Sequence, residues 1–84
     1  MEYSRVIAAR IRELCYKRNI SVNRLAEMSG RRQSTLSNIM HGESQNPRIK
    51  TLHKIALAFG MTLAELLDFP ALNEYSFDEE NDAG

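Results

Sequence analysis

The sequence predicts an all-α fold: a compact bundle of five short helices followed by an acidic C-terminal tail. Three observations predict it. Apolar residues recur at helical spacing in successive segments, alternating apolar and polar runs are missing, and the breaks between segments carry helix-stopping and helix-starting residues. At 84 residues, 43% of them apolar and 26% charged, the chain has room for one small core.

The first helix is expected over residues 4–18. Ile7, Ile11, Leu14 and Cys15 form one apolar stripe at i, i+4, i+7 and i+8, with Arg5, Arg10, Arg12 and Lys17 facing elsewhere. Asn19 is the stop. Ser21 has the short oxygen-bearing side chain of an N-cap and opens a second helix with Leu25, Ala26 and Met28 inward. Ser29-Gly30 breaks that helix, because glycine takes the left-handed conformation that a tight C-terminus needs.

A third helix follows over residues 32–40, with Leu36, Ile39 and Met40 inward and His41-Gly42 closing it. Residues 43–46 read as a polar loop. Asn46-Pro47 restarts a helix with proline near its first turn, and Ile49, Leu52, Ile55, Ala56 and Phe59 keep helical spacing up to Gly60. Thr62-x-x-Glu65 is a capping box before Leu63, Leu66 and Leu67 in a short fifth helix. From Pro70 the composition turns polar and acidic. Residues 1–69 are therefore the expected domain and 70–84 a flexible tail, with Leu72, Tyr75 and Phe77 as its docking points.

Charge separates along the same line. Residues 1–69 hold all eleven Lys and Arg against six acidic side chains, net +5, whereas residues 70–84 hold five acidic side chains and no basic one. An overall charge of zero thus hides a basic body, which suits a polyanionic partner.

Other function classes find little support. No stretch approaches the ~20 apolar residues of a membrane span, and the first residues lack the pattern of a secretory signal. Cys15 is the single cysteine, and neither His41 nor His53 has a neighbour at metal-ligand spacing. No acidic pair flanks a candidate nucleophile. The expectation is a cytoplasmic, non-enzymatic protein without cofactor, metal, membrane or small-molecule ligand.

Two short helices joined by a tight turn form a helix-turn-helix, whose second helix is presented to a DNA groove. The geometry asks for a small residue where the helices cross, a glycine four residues later, and branched apolar residues under the second helix. Ala26, Gly30, Leu36 and Ile39 meet those needs in the pattern Leu25-Ala26-x-x-x-Gly30-x-x-x-x-x-Leu36-x-x-Ile39. The unit spans residues 21–40, and its second helix, residues 32–40, is the expected recognition helix.

With these segments in place (IRELCYKRNISVNRLAEMSG, RRQSTLSNIMHG and NPRIKTLHKIALAFGMTLAELL), residues 7–68 resemble the Cro/C1-type (XRE-like) helix-turn-helix family of bacterial and phage regulators. The resemblance implies a lambda-repressor-like fold and a double-stranded DNA partner. It implies base contacts from Gln33, Ser34 and Asn38, and glutamine is chemically apt because its amide can both donate to and accept from adenine. It implies backbone contacts from Arg31, Arg32, Thr35, Ser37, His41 and Arg48, the first two beside the positive end of the recognition helix. Read without the motif, Gln33, Ser34 and Asn38 are simply the solvated face of an amphipathic helix.

Three departures from the family pattern stand out. Val22 replaces a glutamine that touches phosphate and braces the first base-contacting residue. Arg32 replaces a Ser or Thr cap, which weakens the helix start by ~1 kcal/mol. Cys15 and Met40 replace the Arg and Glu of a buried ion pair, and two apolar groups in contact are a sound substitute.

The resemblance also implies a regulator, with repression the expected sign, since no effector or activation module is evident. It implies two-fold dimers as well, for which Leu57, Met61, Phe69 and Leu72 are the apolar residues left over by the core stripes. The alternative is a protein-interaction module of the same fold, such as an antitoxin or anti-regulator, docking a partner through its tail.

Overall fold

The computed structural model describes residues 3–42 and 46–79. Among the described residues six α-helices follow in order: α1 Tyr3–Arg18, α2 Val22–Ser29, α3 Gln33–Met40, α4 Ile49–Ala58, α5 Leu63–Leu67 and α6 Pro70–Asn73, with a 3-10 turn at Phe77–Glu79. No strand occurs among the described residues. The all-helical expectation holds, and the described part of the segment after Pro70 contributes one helix more than expected.

Local chemistry sets most boundaries. Ser21 caps α2, its Oγ accepting from the Arg24 N–H at 3.1 Å, and Gly30 ends that helix at φ 66°. Thr62 and Glu65 form the full capping box of α5, with N–H···O distances of 3.0 and 2.8 Å. Asn19 closes the α1 region at φ 54°, a conformation that asparagine tolerates better than most residues. One boundary differs. Pro47 stands before α4 rather than in its first turn, and Arg48 occupies the N-cap position without a side-chain cap bond.

The core joins Ile7, Ile11, Leu14 and Cys15 of α1 to Leu25, Ala26, Leu36, Ile39, Met40, Leu52, Ile55, Ala56, Phe59 and Leu66. α2 packs on α3 and α4, α1 on α3 and α6, and α4 on α5. Cys15 and Met40 both belong to this core.

Two inward assignments fail. Met28 is 41% exposed, and Ser29 is buried instead, its Oγ donating to the Leu25 carbonyl at 2.7 Å. At about 100° per residue, Ser29 falls between Leu25 and Ala26, whereas Met28 lies on the far side of Leu25. Ile49 has the right phase but is the first residue of α4 and stays 61% exposed; Thr51 is the buried side chain of that turn.

The segment after Pro70 does not read as a free tail within the described residues. α6 packs on α1, Leu72 packs against the core, and Tyr75 and Phe77 meet the Tyr3 ring. Glu80 and Asp82 lie outside the described residues.

Candidate nucleic-acid interface

The presentation of α3 follows from its sequence. Leu36, Ile39 and Met40 are buried, fixing one side of an eight-residue helix. Ser34 and Asn38, one turn apart, fall at the middle of the opposite side, and both are exposed. Gln33 is exposed at the first position, while Thr35 and Ser37 flank the outward face and are half-buried. Ser34 and Asn38 thus point away from the core, while Gln33, whose helical phase lies near those of Leu36 and Met40, is exposed because it opens the helix. None is sealed beneath another segment.

Cations surround this face. Arg32, the N-cap, is exposed, and Arg31 before it is half-buried. Arg48 is exposed at the start of α4. Arg31, Thr35, Asn38 and Arg48 line a cleft of about 300 Å³ together with Ile39, Asn46, Pro47 and Thr51. The Arg31 Nε is withdrawn from solvent and has no hydrogen-bond partner among the described residues. A guanidinium N–H in that state favours an anionic acceptor, because an unmet buried donor costs about 1–3 kcal/mol.

The structure does not bring every expected contact into this cleft. Gln33, Ser34, Arg32, Ser37 and His41 lie outside its lining. His41 is the exposed C-cap of α3. The reading of the sequence missed Asn46 and Thr51, and only their places beside Pro47 and Arg48 could have marked them.

Not all of the basic body serves this face. Three arginines of α1 each reach the C-terminal end of another helix, where backbone carbonyls lack intrahelical donors. Arg12 Nη2 donates to the carbonyl of Met40 in α3, and Arg18 Nη1 to that of Phe59 at the end of α4. Arg10 donates to the Leu66 and Glu65 carbonyls of α5 at 3.1 and 3.2 Å. A cation there also opposes the negative end of the helix dipole. Arg24 and Lys17 pair with Glu27 and Glu13 at 3.1 and 3.2 Å.

The residues expected to mediate self-association divide. Leu57 is 63% exposed, whereas Met61 and Leu72 pack against the core and the Phe69 ring lies under the Arg10 guanidinium at 5.2 Å. Val22 is half-buried against the core and offers no polar group to a phosphate. Among the described residues no helix is long and apolar enough to cross a membrane, and no three His, Cys, Asp or Glu side chains gather as metal ligands.

Comparison with known proteins gives two findings. A family model described as a Cro/C1-type HTH DNA-binding domain matches residues 10–71. The crystal structure of the prophage Lp1 protein 11 is similar, with 30% sequence identity over 87% of this chain and 97% of that chain, at a TM-score of 0.77. No curated protein matches the chain.

Proposed function

The chain belongs to the Cro/C1-type helix-turn-helix DNA-binding domain family, and from that premise we propose that it regulates transcription by laying α3 in the major groove of specific duplex sites. The observation that carries this reading is the outward face of α3. Ser34 and Asn38 are exposed there, and Gln33 at the start of the helix, beside a cleft flanked by Arg31 and Arg48. Amide and hydroxyl groups read base edges, while guanidinium groups anchor the phosphate backbone. Arg32, Thr35, Ser37 and His41 supply further backbone contacts around the same face.

Repression is the sign that this reading favours. A bound domain can repress simply by excluding other proteins from its site, with no further module. Binding as a two-fold dimer places two copies of α3 about 34 Å apart, with the exposed Leu57 as the apolar anchor between copies.

The test starts with duplexes selected by the protein from a random pool. Gln33→Ala and Asn38→Ala should lower the ratio of specific to unrelated-duplex affinity by about tenfold, the low end for one good base contact. Arg48→Ala should weaken binding to both duplexes and reduce the salt slope by about one. Unchanged ratios in both α3 variants would sink the proposal. The same selection reveals whether sites are two-fold, and sedimentation of Leu57→Glu tests the dimer.

A further inference from the structure

We propose that Arg12 is a positioning residue for DNA reading: from α1 it fixes the C-terminal end of α3, and so the stance of Asn38 and His41 over the groove. The inference rests on the reading of α3 as the groove-entering helix. α3 has eight residues, and isolated helices below about 12–15 residues are marginal in water. Its N-cap, Arg32, makes no side-chain cap bond. External contacts therefore decide where this helix begins and ends.

At its last residue the contact is directional. Arg12 Nη2 donates to the Met40 carbonyl, setting a full positive charge against the negative end of the helix. Two turns earlier on α1, Arg5 lies beside the residue that follows His41. A Cβ on Gly42 would stand 3.0 Å from the Arg5 Cγ. Arg5 and Arg12 are seven residues apart and so share one side of α1. Arg12 thus holds the end of α3, and Arg5 stands beside the turn after it on the same side of α1. The buried Leu36, Ile39 and Met40 secure α3 from below, but apolar burial is non-directional. A hydrogen bond to a terminal carbonyl resists sliding and rotation, and side chains that read a partner must be held to about 0.5 Å. Because Arg12 grips backbone, the clamp does not depend on the side chain at position 40.

The experiment compares Arg12→Met and Arg12→Lys with the unchanged protein at a temperature where all three are fully folded. Affinities for the selected duplex and for an unrelated duplex are measured across salt concentrations. Amide exchange is followed at His41 and Gly42, whose N–H groups bond to the Ser37 and Ile39 carbonyls. Arg12→Met should lower the specificity ratio about tenfold, the scale of one charge-assisted hydrogen bond. It should also speed exchange at both amides and leave the salt slope unchanged. Arg12→Lys, which keeps a charged donor, should restore most of the ratio.

A lower melting temperature with an intact ratio would reduce Arg12 to a structural support and overturn the proposal. Equal losses on both duplexes with a salt slope smaller by about one would make it a phosphate contact, which also overturns it. If Gln33→Ala and Asn38→Ala leave the ratio intact while Arg12→Met lowers it, α3 is not the reading element, and the role falls with that reading.

Discussion

The ring of Tyr75 stands edge-on to the ring of Tyr3, with centroids 5.2 Å apart and planes at 83°, and Phe77 completes the group 5.5 Å from Tyr3 and 5.0 Å from Tyr75. The acidic end of the chain is thereby tied to the first turn of α1. Each such pair contributes about 0.5–1.5 kcal/mol beyond the apolar area it buries. Tyr3→Ala, which breaks two of the three pairs, should cost about 2 kcal/mol. Urea unfolding checks this, and an unchanged midpoint would mean that the aromatic group does not hold the segment.

Leu72, Tyr75 and Phe77 were legible as docking points, but their partner in the first turn of α1 was not, and the reason is range. Five acidic residues after Pro70 outweigh the three large apolar ones, Leu72, Tyr75 and Phe77, in any local reading. The partner, Tyr3, lies some seventy positions away. Val6 and Ala8 are buried although they fall off the expected stripe of α1, and α6 packs on that helix. The arginine caps escaped notice for the same reason, since Arg10, Arg12 and Arg18 reach across 28 to 56 positions. What was legible was local. Ser21, Gly30 and Thr62-x-x-Glu65 act within four residues, and the buried Leu36 and Ile39 determine the outward direction of Ser34 and Asn38. Met28 and Ser29 exchange places because Ser29 reads as part of the break, whereas it is the last residue of α2 and its phase falls between Leu25 and Ala26.

The capping box of α5 makes a prediction in pH. Hydrogen bonds from the Thr62 backbone N–H and side chain hold the Glu65 carboxyl below its usual range. The folded chain therefore releases this proton more readily than the unfolded chain. The resulting stability is present above the ordinary carboxylate pKa and is lost as pH falls through the depressed one. Glu65→Gln, which keeps an acceptor for the Thr62 N–H, should flatten this part of the acid limb of stability. In Thr62→Ala, an NMR titration should show the Glu65 pKa returning upward. Identical acid limbs in Glu65→Gln and the unchanged protein would contradict the assignment.

Cys15 should behave as a core residue rather than as a reactive thiol. It is buried, and burial pushes its pKa up. The thiolate is the reacting species, so less of it exists at any given pH than for an exposed cysteine. Reaction with a disulfide reagent at pH 8 should be slower than for a free thiol, and should accelerate once denaturant opens the core. As pH rises past the ordinary thiol range the unfolded chain ionises first, so stability falls towards the raised pKa. Rapid modification of the folded protein would show that Cys15 is accessible.

Two glycines separate conformational cost from crowding. Gly30 lies at φ 66°, and a Cβ built there meets nothing within 4 Å. Gly30→Ala should thus cost only the left-handed backbone penalty, about 1 kcal/mol, measurable by urea unfolding. Gly30→Asn should cost less, since this chain already holds Asn19 at φ 54°. Gly42, at φ 71°, carries the same penalty, but its Cβ would press on the Arg5 Cγ. That side chain is exposed and can swing aside, so the added cost should show less in stability than in the hold on the end of α3. Gly42→Ala should then lose specificity for the selected duplex beyond anything seen in Gly30→Ala at equal folded fraction. Equal specificity in the two variants would mean that Arg5 yields without disturbing α3.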